Sequence, residues 1–181
     1  MNRTGVFLAE GLEEIEGLTV VDILRRAGIE VTTISISDKK EVTGSHKITV
    51  LADKLFSEVD FQELDGIVLP GGMPGTINLG EHFGVNEVIK TYAAEGKLVA
   101  AICAAPSVLG QAGLLEGKRA TSYPGFEEKL RGAICCTEEV VQDENIITSR
   151  GMGTAIPFAL ALTAYFLGQE KAEEIEKSIL Y

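Results

Sequence analysis

The sequence predicts an α/β fold, a three-layer sandwich whose mainly parallel central sheet is covered by helices. Three observations lead there. Strand-like and helix-like patterns alternate along the chain. The apolar runs at 66–69 and 98–102 have strand length and read as buried strands. Unusual loops follow Leu8, Leu69 and Ile102, at the carboxyl edge of the sheet, where such folds place their ligands.

Each element has a local reason. Residues 5–9 read as a first strand, and 13–27 as a helix stopped by Gly28. The β-branched run 29–36 is a second strand, and 47–51 a further short one. The strand at 66–69 ends at Pro70-Gly71-Gly72, and a helix over 85–95 stops at Gly96. The strand at 98–102 runs directly into Cys103, and a helix follows over 106–112. Residues 146–149 are a late strand. The helix over 154–167 is strongly apolar; Pro157 is tolerated because it lies in the first turn. Ala172, Ile175 and Ile179 give a last helix its apolar spacing. No repeat, low-complexity tract or long linker divides the chain, so residues 1–181 are expected to form one domain.

Composition excludes several function classes. With 16 basic and 27 acidic residues the net charge is −11, and no basic cluster is present. That argues against nucleic acid and anionic membrane as partners. No apolar run approaches the ~18 residues of a membrane span. The first residues enter a strand directly, without the apolar stretch of a signal peptide. The cysteine count is three, an odd number that does not read as a disulfide framework. A reducing cytoplasm is the expected setting.

The segment around Cys103 is the most informative for chemistry. A strand, a sharp turn and a helix would lift the thiol out of the sheet edge and set it beside the free N–H groups of a helix start. That environment favours thiolate over thiol. The same run also suits a buried cysteine in a parallel strand. Glu13, Glu14 and Glu16 fall in the first turn of a helix, where acids complement the helix dipole. Glu16 stands among mostly uncharged neighbours, which would raise its pKa and let it hold or share a proton. Pro70-Gly71-Gly72 permits close backbone approach. Its free N–H groups, with the amide after Cys103, would form an oxyanion hole, although a plain turn uses the same residues.

The remaining candidates read differently. His46 and His82 lie in polar loop contexts and are expected to be solvent-exposed. Cys135 and Cys136 are adjacent, cannot share one strand face, and read as packing residues. With no C-x-x-C pair or close His/Cys cluster, no metal is expected.

Taken in order, five segments resemble the ThiJ/PfpI superfamily, in its deglycase-like branch. They are Glu-Glu-Ile-Glu at 13–16, Val-Asp-Ile-Leu-Arg-Arg-Ala-Gly at 21–28, Leu-Pro-Gly-Gly at 69–72, Ala-Ala-Ile-Cys-Ala-Ala-Pro at 100–106 and Thr-Ser-Arg-Gly-Met-Gly-Thr at 148–154. The resemblance implies a flavodoxin-like, class I glutamine-amidotransferase-like fold. It makes Cys103 the nucleophile in a strained elbow, Glu16 its carboxyl partner, and Gly72, with Ala104, the oxyanion-binding position. Arg150 then matches an arginine near a homodimer contact. A histidine common in this branch is replaced by Tyr123, before Pro124. A phenol, with pKa ~10, is a poor base near neutrality. This argues against a Cys-His peptidase and leaves a Cys-Glu mechanism intact.

The resemblance thus implies a cysteine-dependent enzyme of glyoxalase or deglycase type, a hydrolase or lyase. Its substrates would be methylglyoxal-like dicarbonyls or their early adducts. No cofactor is expected, and the partners implied are a small carbonyl substrate and a second copy of the chain. The alternative is a redox-sensing or chaperone-like stress protein whose Cys103 is oxidised to sulfinate.

Overall fold

The computed structural model describes residues 2–181. Its central sheet has seven strands in the order β10-β11-β7-β6-β1-β2-β5. These are β1 (Arg3–Leu8), β2 (Glu30–Ser35), β5 (Lys54–Leu55), β6 (Gly66–Leu69), β7 (Leu98–Ile102), β10 (Val140–Asp143) and β11 (Ile146–Ser149). Every neighbouring pair is parallel except β10 with β11.

The inner strands are buried on both faces, which is why they read as unbroken apolar runs. Along β7, Leu98, Ala100 and Ile102 enter one core; Val99 and Ala101 enter the other. The first core is covered by α1 (Glu14–Arg26), α5 (Ala155–Leu167) and α6 (Gln169–Ser178). The second lies under α2 (Gly75–Glu81), α3 (Phe83–Glu95) and α4 (Pro106–Gln111). The three-layer, mainly parallel architecture is the one the sequence predicts.

Several details differ. The short strand expected over 47–51 is β4 (Thr49–Leu51), and it pairs with β3 (Glu41–Thr43) in a separate hairpin. Lys47 falls in the turn, at φ +64°. α2 forms where the Pro-Gly-rich sequence suggested only a loop. α3 begins at Phe83, two residues early, because the His82 side chain caps it. Ile179 lies just past the end of α6. β5 and the short pair β8 (Arg119–Ala120) and β9 (Ile134–Cys135) have two residues each, and β10 turns polar at Gln142-Asp143, so none shows a strand period.

The chain passes from β1 outward to β2, then crosses to β6 on the other side of β1. This reversal opens a crevice at the carboxyl ends of β1, β6 and β7, where ligands bind in such sheets.

Candidate active site

Cys103 follows the last residue of β7 and has φ +66°. A non-glycine residue in this left-handed region costs about 1–2 kcal/mol, so its surroundings must hold it there. They do so from both sides. Its N–H donates to Ser149 O (3.0 Å) at the end of β11, and its carbonyl accepts from the N–H of Tyr123 (2.8 Å). The expected strained elbow is thus present, tied at the base to a neighbouring strand and at the top to the loop after β8.

Glu16 comes from the first turn of α1 and is 1% exposed. Its Oε2 accepts from Gly71 N–H (2.9 Å), and its carboxyl also hydrogen-bonds the Cys103 thiol. Burial pushes the Glu16 carboxyl up to about 7, against the opposing effect of both hydrogen bonds, and the charge of Glu13 adds to the rise. Burial likewise pushes the Cys103 thiol up to about 12, helped by the charge of an ionised Glu16 and the hydrogen bond to it. The N–H groups of Ala104 and Gly72 work in the opposite direction. The depressed thiol expected from a helix start is therefore overridden, first by burial and then by the charge of an ionised Glu16. The two groups compete for one proton, and a protonated Glu16 removes the repulsion that opposes a thiolate.

The glycine loop makes this approach possible. A Cβ on Gly71 would stand 2.6 Å from Glu16 Oε2 and 2.7 Å from the Cys103 Cβ. Gly72 has φ +93°, and a Cβ there would overlap the backbone of Leu12 and Glu13. The amides of Gly72 and Ala104, expected as oxyanion donors, both favour the ionised form of the Cys103 thiol. Gly71, which fixes the carboxyl, escaped the sequence reading of roles; the Pro-Gly-Gly run was its signal.

Tyr123 contributes its main chain to the elbow, while its side chain is half exposed. Arg150, directly after β11, is half-buried and donates to Thr137 O (3.0 Å). His46 is exposed as expected, but its ring is bonded to Glu14. His82 is half-buried rather than exposed. Its Nδ1 accepts from Val85 N–H (3.1 Å) and its ring lies 4.7 Å from that of Phe56. Neither histidine is among the hydrogen-bond partners of the thiol. Cys135 and Cys136 do not pack in the core: Cys135 is exposed and Cys136 half-buried, because β9 lies in a two-stranded sheet outside the main core. Glu14 is not a solvated dipole-complementing acid; it is 3% exposed and fully engaged with the turn after β3. The fold also assembles three possible metal donors that sequence spacing could not show. One atom each of Glu13, Glu14 and His46 lies within 4.8 Å of the others. Their mutual hydrogen bonds and ion pairs account for that arrangement.

A thiol held in a strand-to-helix elbow, against a buried carboxyl at the switch point of a parallel sheet, places the molecule among the cysteine-bearing α/β sandwich proteins. Comparison with known proteins narrows the class. The chain belongs to the DJ-1/PfpI family, whose model matches residues 2–165. It is 40% identical over 177 residues to the protein dj-1beta of Drosophila melanogaster, covering 97% of this chain and 95% of that one. It is 38% identical over 154 residues to a protein of Pyrococcus abyssi named as a deglycase, covering 83% and 91%. Among solved structures, oxidized DJ-1 of Toxoplasma gondii superposes with TM-score 0.96 at 39% identity, covering 100% of this chain and 99% of that one.

Proposed function

We propose that this chain is a cysteine-dependent, cofactor-free glyoxalase or deglycase, acting on methylglyoxal-like dicarbonyls or their early adducts with amines and thiols. The observation that carries the reading is the buried Glu16 carboxyl, fixed by Gly71 N–H (2.9 Å), beside Cys103 in its left-handed elbow. The Pyrococcus relative's name as a deglycase supports it.

The chemistry follows from the geometry. The Cys103 thiolate adds to the aldehyde carbon of methylglyoxal, and its carbonyl oxygen becomes an alkoxide. The amides of Gly72 and Ala104 stabilise that charge. Glu16 removes the proton from the same carbon and returns it to the adjacent one, while the negative charge passes to the adjacent oxygen, which takes a proton from water, giving a thioester of a hydroxy acid. Water then cleaves the thioester, releasing the acid and the thiol. Hydrogen moves only between neighbouring carbons, so no external oxidant is consumed. Tyr123 and Arg150 are supporting residues, and the working unit is a homodimer in a reducing cytoplasm.

Methylglyoxal turnover by the wild type, Cys103→Ser and Glu16→Gln tests this. Multiple turnovers to lactate are expected for the wild type only. Wild-type rates in Glu16→Gln would reduce Glu16 to a helix-terminal charge. A second reading, a redox-responsive stress protein, is favoured by the Toxoplasma structure being one of an oxidized form. Its signature is a mass gain of about 32 Da, two oxygens, on Cys103 under mild peroxide without any turnover.

A further inference from the structure

Two hydrogen bonds hold Cys103 in its left-handed elbow, and both lead to the turn that follows β11. The first runs from Cys103 N–H to Ser149 O (3.0 Å), on the last residue of that strand. The second runs from Tyr123 N–H to Cys103 O (2.8 Å). The Tyr123 ring in turn lies on Gly151, where a Cβ would stand 3.3 Å from its Cδ2. Ser149 and Gly151 are both buried, and one side chain fastens them to each other. Ser149 Oγ donates to Glu139 O (2.6 Å), which commits its only proton. Thr154 Oγ1 lies 2.7 Å from Ser149 Oγ and must therefore be the donor between them. Gly151 O, 3.0 Å from the same hydroxyl, meets a proton already committed. A lone pair of Thr154 Oγ1 accepts from Gly151 N–H (3.1 Å). The hydrogen bonds thus run in one direction, from Gly151 to Thr154 to Ser149 to Glu139, and end on the residue that leads into β10.

We propose that Thr154 is a positioning residue for Cys103, whose elbow it holds by fixing Ser149 and Gly151 through its hydroxyl. The inference rests on reading Cys103 as the reacting group. Thr154 stands at the N-cap position of α5, yet its hydroxyl caps no N–H of that helix. It serves the turn before the helix instead. A non-glycine residue stays left-handed only where its neighbours over-determine it. Without the Thr154 hydroxyl, Gly151 N–H becomes a buried donor lacking its acceptor, and Ser149 Oγ loses the bond that orients it. Gly151 then turns its N–H towards water, and the support under the Tyr123 ring moves with it. Cys103 keeps its thiol in such a variant, but the sulfur is no longer held at a fixed place against Glu16 and the amides of Gly72 and Ala104.

Thr154→Val, which exchanges only the hydroxyl for a methyl, and Thr154→Ser, which keeps the hydroxyl, test this as a pair. Exchange of the Cys103 amide hydrogen, followed by NMR, reads the grip on the elbow without any turnover. It quickens about tenfold in Thr154→Val, the order of one net hydrogen bond, and keeps the wild-type rate in Thr154→Ser. Methylglyoxal turnover reads the consequence. In Thr154→Val kcat falls by about 10- to 100-fold with KM unchanged, as misplacement of a reacting atom does, and Thr154→Ser recovers it. His82→Ala, which removes a cap on α3, serves as the control for a general loss of stability and changes neither measurement. Wild-type amide exchange in Thr154→Val overturns the proposal, as does an unchanged kcat in an active enzyme. Equal damage in Thr154→Ser, or the same changes in His82→Ala, overturns it too. If the wild type turns over no methylglyoxal, the enzymatic reading fails and the amide exchange alone decides on Thr154.

Discussion

Gly71 is the residue on which the site closes. Its missing side chain lets Glu16 and Cys103 meet, since a Cβ would lie under 3 Å from both. Gly71→Ala is therefore expected to cost about 1–3 kcal/mol, as overpacking does, and to displace the Glu16 carboxyl. Urea denaturation together with Cys103 alkylation checks this; an unchanged midpoint and an unchanged pH profile would mean that the loop yields freely. Glu16 carries a second prediction. Its carboxyl is raised from 4.5 to about 7 in the folded protein, so the native state binds a proton that the unfolded chain releases. Stability from this group is complete below pH 4.5 and falls as pH rises towards 7. The Cys103 thiol, pushed up to about 12, stays protonated throughout that window and leaves the sign unchanged. Glu16→Gln should flatten the decline by an amount on the order of a few kcal/mol. Equal slopes for both proteins in urea titrations at several pH values would contradict it. The identities of Cys103 and Glu16 were legible in the sequence, one at a strand end and the other an acid among uncharged neighbours. The direction of the thiol's shift was not, because it depends first on how deeply the fold buries the sulfur and then on how closely a charge from α1 approaches.

Elements were legible in proportion to their length and period. β6, β7 and β11 coincide with their expected bounds, since each is a compact apolar run flanked by turn residues. α2 was hidden because Pro74 and Gly75 dominate its start, and the helix gains its support by packing against α3 and α4. His82 illustrates the same limit. In sequence it is a polar loop residue; in the fold it caps α3 by accepting from Val85 N–H. His82→Ala should cost about 1 kcal/mol, the usual worth of an N-cap. His82→Asn, which retains an acceptor, should recover most of that. Equal stabilities of the wild type and His82→Ala in denaturant would show that the ring contact with Phe56 and the cap contribute nothing.

For the whole molecule, the open question is assembly. α1 presents Ile15 and Leu18 to solvent, and the β3–β4 hairpin presents Ile48 and Leu51. Apolar side chains exposed this close to the site suit a covered surface. Light scattering should return a mass near twice 19.3 kDa at micromolar concentration. Leu18→Glu should move it towards the monomer by burying an unpaired charge in the contact. A monomeric wild type would contradict the homodimer.

The sequence by itself determined the layer architecture, the succession of the main strands along the chain and the three loops that border the crevice. Those properties rest on short-range regularities: runs of apolar residues, helix stops and turn residues can be read within a few positions. Tertiary structure alone decided the electrostatics of the site. Residues 13–16, 43–48, 71–72 and 103–104 are far apart in the chain, and only the crossover from β2 to β6 and the docking of the β3–β4 turn on α1 bring them together. Whether Glu14 is a solvated acid or a buried clasp, and whether Cys103 is easier or harder to ionise than a free thiol, depends on distances of about 3 Å between such segments, which no local pattern encodes.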